Sequence, residues 1–309
     1  MKAIYDICAP AKLNLFLHVT GRRPDGYHTL QSVFMLIDWC DTLHIERRSD
    51  GQISREDLAA GSSQNTAGNS PLEQTVELPA DDLCVRAAKA LRSAVGPHGA
   101  TLGAHIGLVK HIPSQAGMGG GSSDAASTLL ALNRLWNLHW PLEKLLPIGL
   151  ALGADVPFFL RGENAWVEGI GEEITPIELP RARFFVAKPP HGLETAKIFA
   201  HPELPRNTAT AIILGFAANP FQFGRNDLQS VAQQLCPGVG QGLKWLAQLG
   251  LQGRMTGSGS AVFAPIAEGA AAGSATGMIA KWIKTRPEGF EARLCSNLPS
   301  HPLAGWASN

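Results

Sequence analysis

The chain has 309 residues, room for about two domains at roughly 150 residues each. Its 26 basic and 26 acidic residues cancel, and at 45% hydrophobic and 17% charged it has a globular composition, without the basic excess of a nucleic-acid-binding or membrane-surface protein. The five cysteines, Cys8, Cys40, Cys84, Cys236 and Cys295, show no CxxC spacing, so neither a disulfide framework nor a zinc cluster is expected.

In chain order, strand-like alternation occupies residues 13–19, 32–37 and 42–46. Residues 50–72, loaded with Ser, Gly, Asn, Asp and Gln, read as a long surface excursion. Asp81 or Asp82 can cap a helix carrying Leu83, Ala87, Ala90 and Leu91 and ending near Gly96-Pro97, and a strand is expected over 104–109. A glycine-rich loop then leads into a helix over 124–136, with another over 142–152. Residues 145–160, the most apolar stretch, are interrupted by Pro147, Gly149, Gly153, Asp155 and Pro157, which argues against a membrane span. Further strands are expected at 165–168, 173–177, 184–187, 261–265 and 291–294, and helices at 228–235, 243–249 and 270–283. This irregular order predicts an α+β fold rather than a doubly wound sheet, with domains over 1–160 and 161–309. Residues 1–10 do not read as a signal peptide, so the expected address is the cytoplasm.

The strongest chemical feature is the loop 113–123, PSQAGMGGGSS. Gly117, Gly119, Gly120 and Gly121 remove the Cβ atoms that keep an anion from the backbone, and they permit the φ > 0 turns that aim successive N–H groups inward. The helix that follows adds its unpaired N–H groups and the positive end of its dipole, and Ser122 and Ser123 add hydroxyls. The pattern favours a phosphate site over a plain flexible turn, and it is neither a Walker A loop nor a dinucleotide fingerprint. A second run, Thr256-Gly257-Ser258-Gly259-Ser260, reads by itself as a tight turn into a strand. Lys12 and Asn14 stand among apolar neighbours at a strand start, and Asp155 lies inside an apolar stretch where burial would raise its pKa unless a cation compensates. A Lys12–Asp155 pair beside a phosphate nest would suit phosphoryl transfer. His18, His44, His98, His105 and His111 lack metal-ligand spacing, Trp136 and Trp140 read as core, and Arg22-Arg23 reads as a solvated turn.

The segments 10–14 (PAKLN), 113–123 and 255–260 (MTGSGS) resemble the three motifs of the GHMP kinases, in the right order and over most of the chain. Within that superfamily, residues 21–28 (GRRPDGYH) and 153–159 (GADVPFF) resemble the members that act on a diphosphocytidyl methylerythritol in the non-mevalonate route to isoprenoid precursors. The resemblance implies a ribosomal S5 domain 2-like N-terminal domain, a ferredoxin-like C-terminal domain, and phosphorylation of the substrate's 2-hydroxyl by ATP with Mg²⁺. It implies Asp155 as base, Lys12 as its charge partner and Asn14 as a substrate-orienting amide. Tyr27 and His28 would line a cytidine pocket, with Phe185 as a further aromatic wall. ATP would meet Lys110 and the loop residues Pro113, Ser114, Gln115, Ala116, Gly117, Met118, Gly119, Gly120, Gly121, Ser122 and Ser123, the last also a candidate metal ligand. Gln115-Ala116 departs from the further glycines of many relatives. The partners so implied are small molecules, without nucleic acid or membrane, acting on a monomer or weak homodimer. Homoserine or mevalonate kinase, a nucleotide sensor and an RNA-binding relative of the S5-like fold are the alternatives.

Overall fold

The computed structural model describes residues 1–59, 82–266 and 282–308. Two long strands, β1 (Ala3–Arg22) and β2 (His28–Arg48), form an antiparallel ribbon running from the Ala3–Glu46 pair to the Arg22–His28 pair. Two strands are expected at 32–37 and 42–46, yet one continuous strand is found. The polar residues between them have partners: Asp38 Oδ1 accepts from the Ser296 N–H (2.8 Å), and Trp39 Nε1 donates to the His111 carbonyl (2.7 Å), so nothing forces a turn. Part of the expected excursion is also strand, since β3 (Ile53–Asp57) pairs in parallel with β4 (Gly103–Val109). The remainder, with Asp81, lies largely outside the described residues.

The sheet runs β3-β4-β2-β5-β6, with β1 on β2 and with β5 (Ala165–Glu168) and β6 (Glu173–Pro176) beyond it. Four helices complete this unit: α1 (Leu83–Val95), α2 (Gly120–Leu135), α3 (Leu142–Leu152) and α4 (Val156–Arg161). Asp82 caps α1 by accepting from the Val85 N–H at 2.9 Å. Helix α2 starts inside the glycine run rather than at residue 124, because Gly119 takes a left-handed conformation that hands the chain into the helix. The apolar 158–160 run becomes α4, whose Phe158 and Phe159 pack with Leu129, Leu132, Ile45 and Ile106 in a fully buried core.

The second sheet, β10-β7-β9-β8, contains β7 (Arg183–Lys188), β8 (Arg254–Met255), β9 (Val262–Ile266) and β10 (Glu291–Ser296). Around it lie α5 (Thr195–Ala200), α6 (Ile213–Ala217), α7 (Gln229–Leu235) and α8 (Pro237–Gln248). The short α5 and α6 are absent from the sequence reading, and most of the expected 270–283 helix lies outside the described residues. A third core, with Leu13, Phe16 and Met35 against Phe184 and Phe263, joins the ribbon to this sheet. The first sheet extends past the expected boundary at 160 to Pro176, and the C-terminal residues return to it: the His301 N–H donates to the Gly162 carbonyl (2.7 Å), and Leu303 enters the first core. The domains are therefore not two consecutive halves of the chain.

Candidate active site

The loop before α2 alternates left-handed residues, with Gln115 at φ 54°, Gly117 at 76° and Gly119 at 70°. A Cβ on Gly117 would lie 2.3 Å from the Thr256 carbonyl oxygen, and one on Gly259 would lie 1.9 Å from the Gly117 nitrogen. The two glycine-rich stretches thus interlock backbone to backbone. The Ser260 and Ala261 N–H groups donate to the Gln115 and Ala116 carbonyls (3.2 and 3.1 Å), so the second loop is a buttress of the first, which a reading of it as an isolated turn misses. Gln115 takes the left-handed conformation that a further glycine would take more easily.

Lys12, on β1, and Asp155, just before α4, are brought together across the fold, with Nζ 3.6 Å from Oδ2. Lys12 is 4% exposed, its ammonium donates to Asn14 Oδ1, and it sits 4.3 Å over the Phe34 ring. Burial pushes its pKa below the usual lysine value, with Asp155 opposing. Asn14 is fixed in turn, its Nδ2 donating to Ser32 Oγ and its N–H to Thr256 Oγ1, each at 2.8 Å.

Three adjoining cavities form one groove here. The first, about 460 Å³, is lined by Lys12, Lys110, residues 113–122 and Asp155. The second, about 260 Å³, contains Lys12, Asn14, Ser32 and Asp155, and shares Lys12, Asp155, Thr195 and Ser258 with the first. The third, about 410 Å³, contains Arg22, Tyr27 and His28, and shares Leu30, Ile170, Thr195 and Phe199 with the second. The Lys12–Asp155 pair stands at the junction of the phosphate-loop cavity and the rest of the groove.

Two expected residues are elsewhere. Phe185 is fully buried in the second core, with its ring centroid 5.4 Å from Trp245 and 5.5 Å from Trp282, and it does not reach the groove. The aromatic wall is Phe199 of α5, whose ring stacks on His28 at 5.1 Å. Its signal was slight: Thr195 and Phe199 share a face at helical spacing, on a helix of six residues. Ser123 is fully buried with an unpartnered Oγ and does not line the cavity; Ser122 does.

Lys110 lines the first cavity but is also bound from behind, its ammonium donating to the buried carboxylates of Asp41 and Asp124. Burial works to lower its pKa, and the two carboxylates outweigh burial and leave it raised. Burial pushes Asp124 up to about 7, with Lys110 opposing. Asp41, absent from the sequence reading, also accepts from the His111 and Ile112 N–H groups (2.6 and 2.7 Å) and so anchors the entry to the glycine loop. Among the described residues there is no group of three or more His, Cys, Asp or Glu side chains arranged for a metal ion, and no helix long and apolar enough to cross a membrane.

Family models describing the GHMP kinase N-terminal and C-terminal domains match residues 82–163 and 211–284. The chain is 63% identical, over 99% of its length and 96% of the relative's, to a 4-diphosphocytidyl-2-C-methyl-D-erythritol kinase of Albidiferax ferrireducens. It is 58% identical, over the whole of both chains, to the like-named protein of Variovorax paradoxus. Among solved structures, a 4-(cytidine 5'-diphospho)-2C-methyl-D-erythritol kinase superposes with a TM-score of 0.71 at 31% identity, covering 93% of this chain and 98% of that one. A homoserine kinase from Cytophaga hutchinsonii superposes with 0.66 at 14% identity, covering 97% of this chain and 96% of the other, a likeness of fold alone.

Proposed function

This chain belongs to the GHMP kinases, and on that premise we propose that it transfers the γ-phosphoryl group of ATP to the 2-hydroxyl of 4-diphosphocytidyl-2-C-methyl-D-erythritol, a step of the non-mevalonate route to isoprenoid precursors. The observation that carries the reading is the continuous groove, with a phosphate nest at one end, an aromatic pocket at the other and the Lys12–Asp155 pair between them. The triphosphate lies along the glycine loop, held by backbone N–H groups and the N-terminus of α2. The cytidine lies among Tyr27, His28 and Phe199, which leaves the methylerythritol in the middle cavity beside Asn14.

Asp155 takes the proton of the 2-hydroxyl as that oxygen bonds to the γ-phosphorus and the bond to the ADP oxygen breaks. Lys12, 3.6 Å from Asp155, supplies positive charge where negative charge gathers. The residues fit Mg²⁺ through few protein oxygens, such as the Ser122 hydroxyl that lines the phosphate-loop cavity, as suits an ion that keeps phosphate and water ligands. When bound, the ion supplies charge neutralisation on the β- and γ-phosphates.

The test is Asp155→Asn. Nucleotide affinity should stay within about twofold while kcat falls by roughly 10²–10⁴, the usual worth of a general base. A variant retaining full kcat would remove Asp155 from the mechanism.

A further inference from the structure

One arginine that the function above leaves unused holds both walls of the aromatic pocket. Arg206 follows α5 and is half-buried, and every nitrogen of its guanidinium is engaged. Its Nε donates to His28 Nε2 at 3.0 Å. Its Nη2 donates to the carbonyls of Phe199 (3.2 Å) and His201 (2.8 Å), and its Nη1 donates to those of Leu204 (3.0 Å) and Pro202 (3.4 Å). All these acceptors are neutral, and no carboxylate forms an ion pair with Arg206 among the described residues. The cation therefore serves geometry: it closes the C-terminal end of α5, where unpaired carbonyls favour positive charge, and joins it to the first strand residue after the 23–27 turn.

The bond to His28 also fixes the imidazole. An arginine is always a donor, so Nε2 must be the acceptor and the ring proton must sit on Nδ1. Burial, then the charges of Arg206 and Arg22, keep the pKa of His28 below its ordinary value, so the ring stays neutral. Phe199 can then stack on an uncharged ring of fixed orientation.

We propose that Arg206 is a positioning residue of the cytidine pocket, tying the Phe199 wall to His28 in its Nδ1–H tautomer so that the pocket has its width and orientation before substrate enters. The proposal rests on the substrate assigned above. A planar five-donor fork is needed to reach a ring nitrogen and four carbonyls at once; a lysine keeps the charge and loses the clamp.

The experiment compares wild type, Arg206→Lys and Arg206→Met by steady-state kinetics, thermal unfolding and ¹⁵N NMR of the histidine rings. In both variants KM for the cytidylyl substrate should rise about tenfold or more, with KM for ATP and kcat within about twofold. In wild type the His28 nitrogens should report the Nδ1–H tautomer, shifting toward Nε2–H in Arg206→Met. An unchanged KM for the cytidylyl substrate in a folded Arg206→Lys protein overturns the proposal, and so does an Nε2–H tautomer in wild type. If Arg206→Met fails to fold, Arg206→Lys and the wild-type spectrum decide. Absence of wild-type turnover on this substrate would instead count against the substrate assignment, and the spectrum would still judge the clamp.

Discussion

Lys12 and Asp155 form an ion pair whose lysine is buried and whose carboxylate lines the groove. An exposed pair contributes little, but here the lysine is desolvated, with Asp155 and Asn14 as its polar partners. The residues around the pair divide by ligand, and kinetics can separate them. Phe199→Ala removes the aromatic wall and should raise KM for the cytidylyl substrate about tenfold while leaving KM for ATP unchanged. Asp41→Asn weakens the hold on Lys110 and on the His111 and Ile112 N–H groups, and should do the reverse. Steady-state measurements varying each substrate in turn check both, and equal changes in the two KM values for either variant would contradict the division of the groove.

At the scale of elements, the proposed nucleotide end consists of two interlocked loops. Gly259 touches no predicted phosphate position, yet its missing Cβ lets the 256–260 turn lie against the Gly117 backbone. Gly259→Ala should cost about 1–3 kcal/mol and raise KM for ATP, since only a backbone shift relieves the clash. Gly250→Ala is the control: its φ of +77° brings strain of about 1–2 kcal/mol, but no atom lies near the new methyl, so nucleotide KM should not move. Denaturant unfolding with ATP kinetics distinguishes them. The motifs on these elements were legible in the sequence because backbone chemistry leaves a local mark: glycines where N–H groups must be approached, a lysine and an acid where apolar residues were due. The interlock was not, because the close approach of residues 117 and 259 is a tertiary fact. Phe199 and Asp41 escape for the same reason, one on a helix too short to show a period and one inside a strand, whereas Phe185, expected in the place of Phe199, stands in the continuous apolar run 184–187 of a core strand.

For the whole molecule, the chain's end returns to its beginning, which local patterning could not reveal and which undoes the expected division at residue 160. His301 anchors that return. Its Nδ1 accepts from the Leu303 N–H at 3.0 Å, while burial pushes its pKa down to about 4 from 6.5. The unfolded chain therefore binds a proton that the folded chain refuses between those values, so stability should fall as pH drops from 6.5 toward 4 and be indifferent to this group above that window. Thermal unfolding across the range should show a smaller fall for His301→Asn; an identical fall in both proteins would place the acid sensitivity elsewhere. The neutral overall charge also acquires a sense at this scale: a phosphate site of the kind proposed would rely on backbone N–H groups, a helix terminus and a few paired lysines, so no excess of basic residues is required.

The central claim, that this groove joins ATP to a cytidylyl acceptor, is tested most directly by ADP release with 4-diphosphocytidyl-2-C-methyl-D-erythritol, homoserine or mevalonate as the sole acceptor, with ³¹P NMR of the product. The account predicts ADP release with the first alone, together with a new phosphomonoester on its 2-hydroxyl. Comparable kcat/KM with homoserine or mevalonate, or no turnover with the cytidylyl substrate, would contradict it.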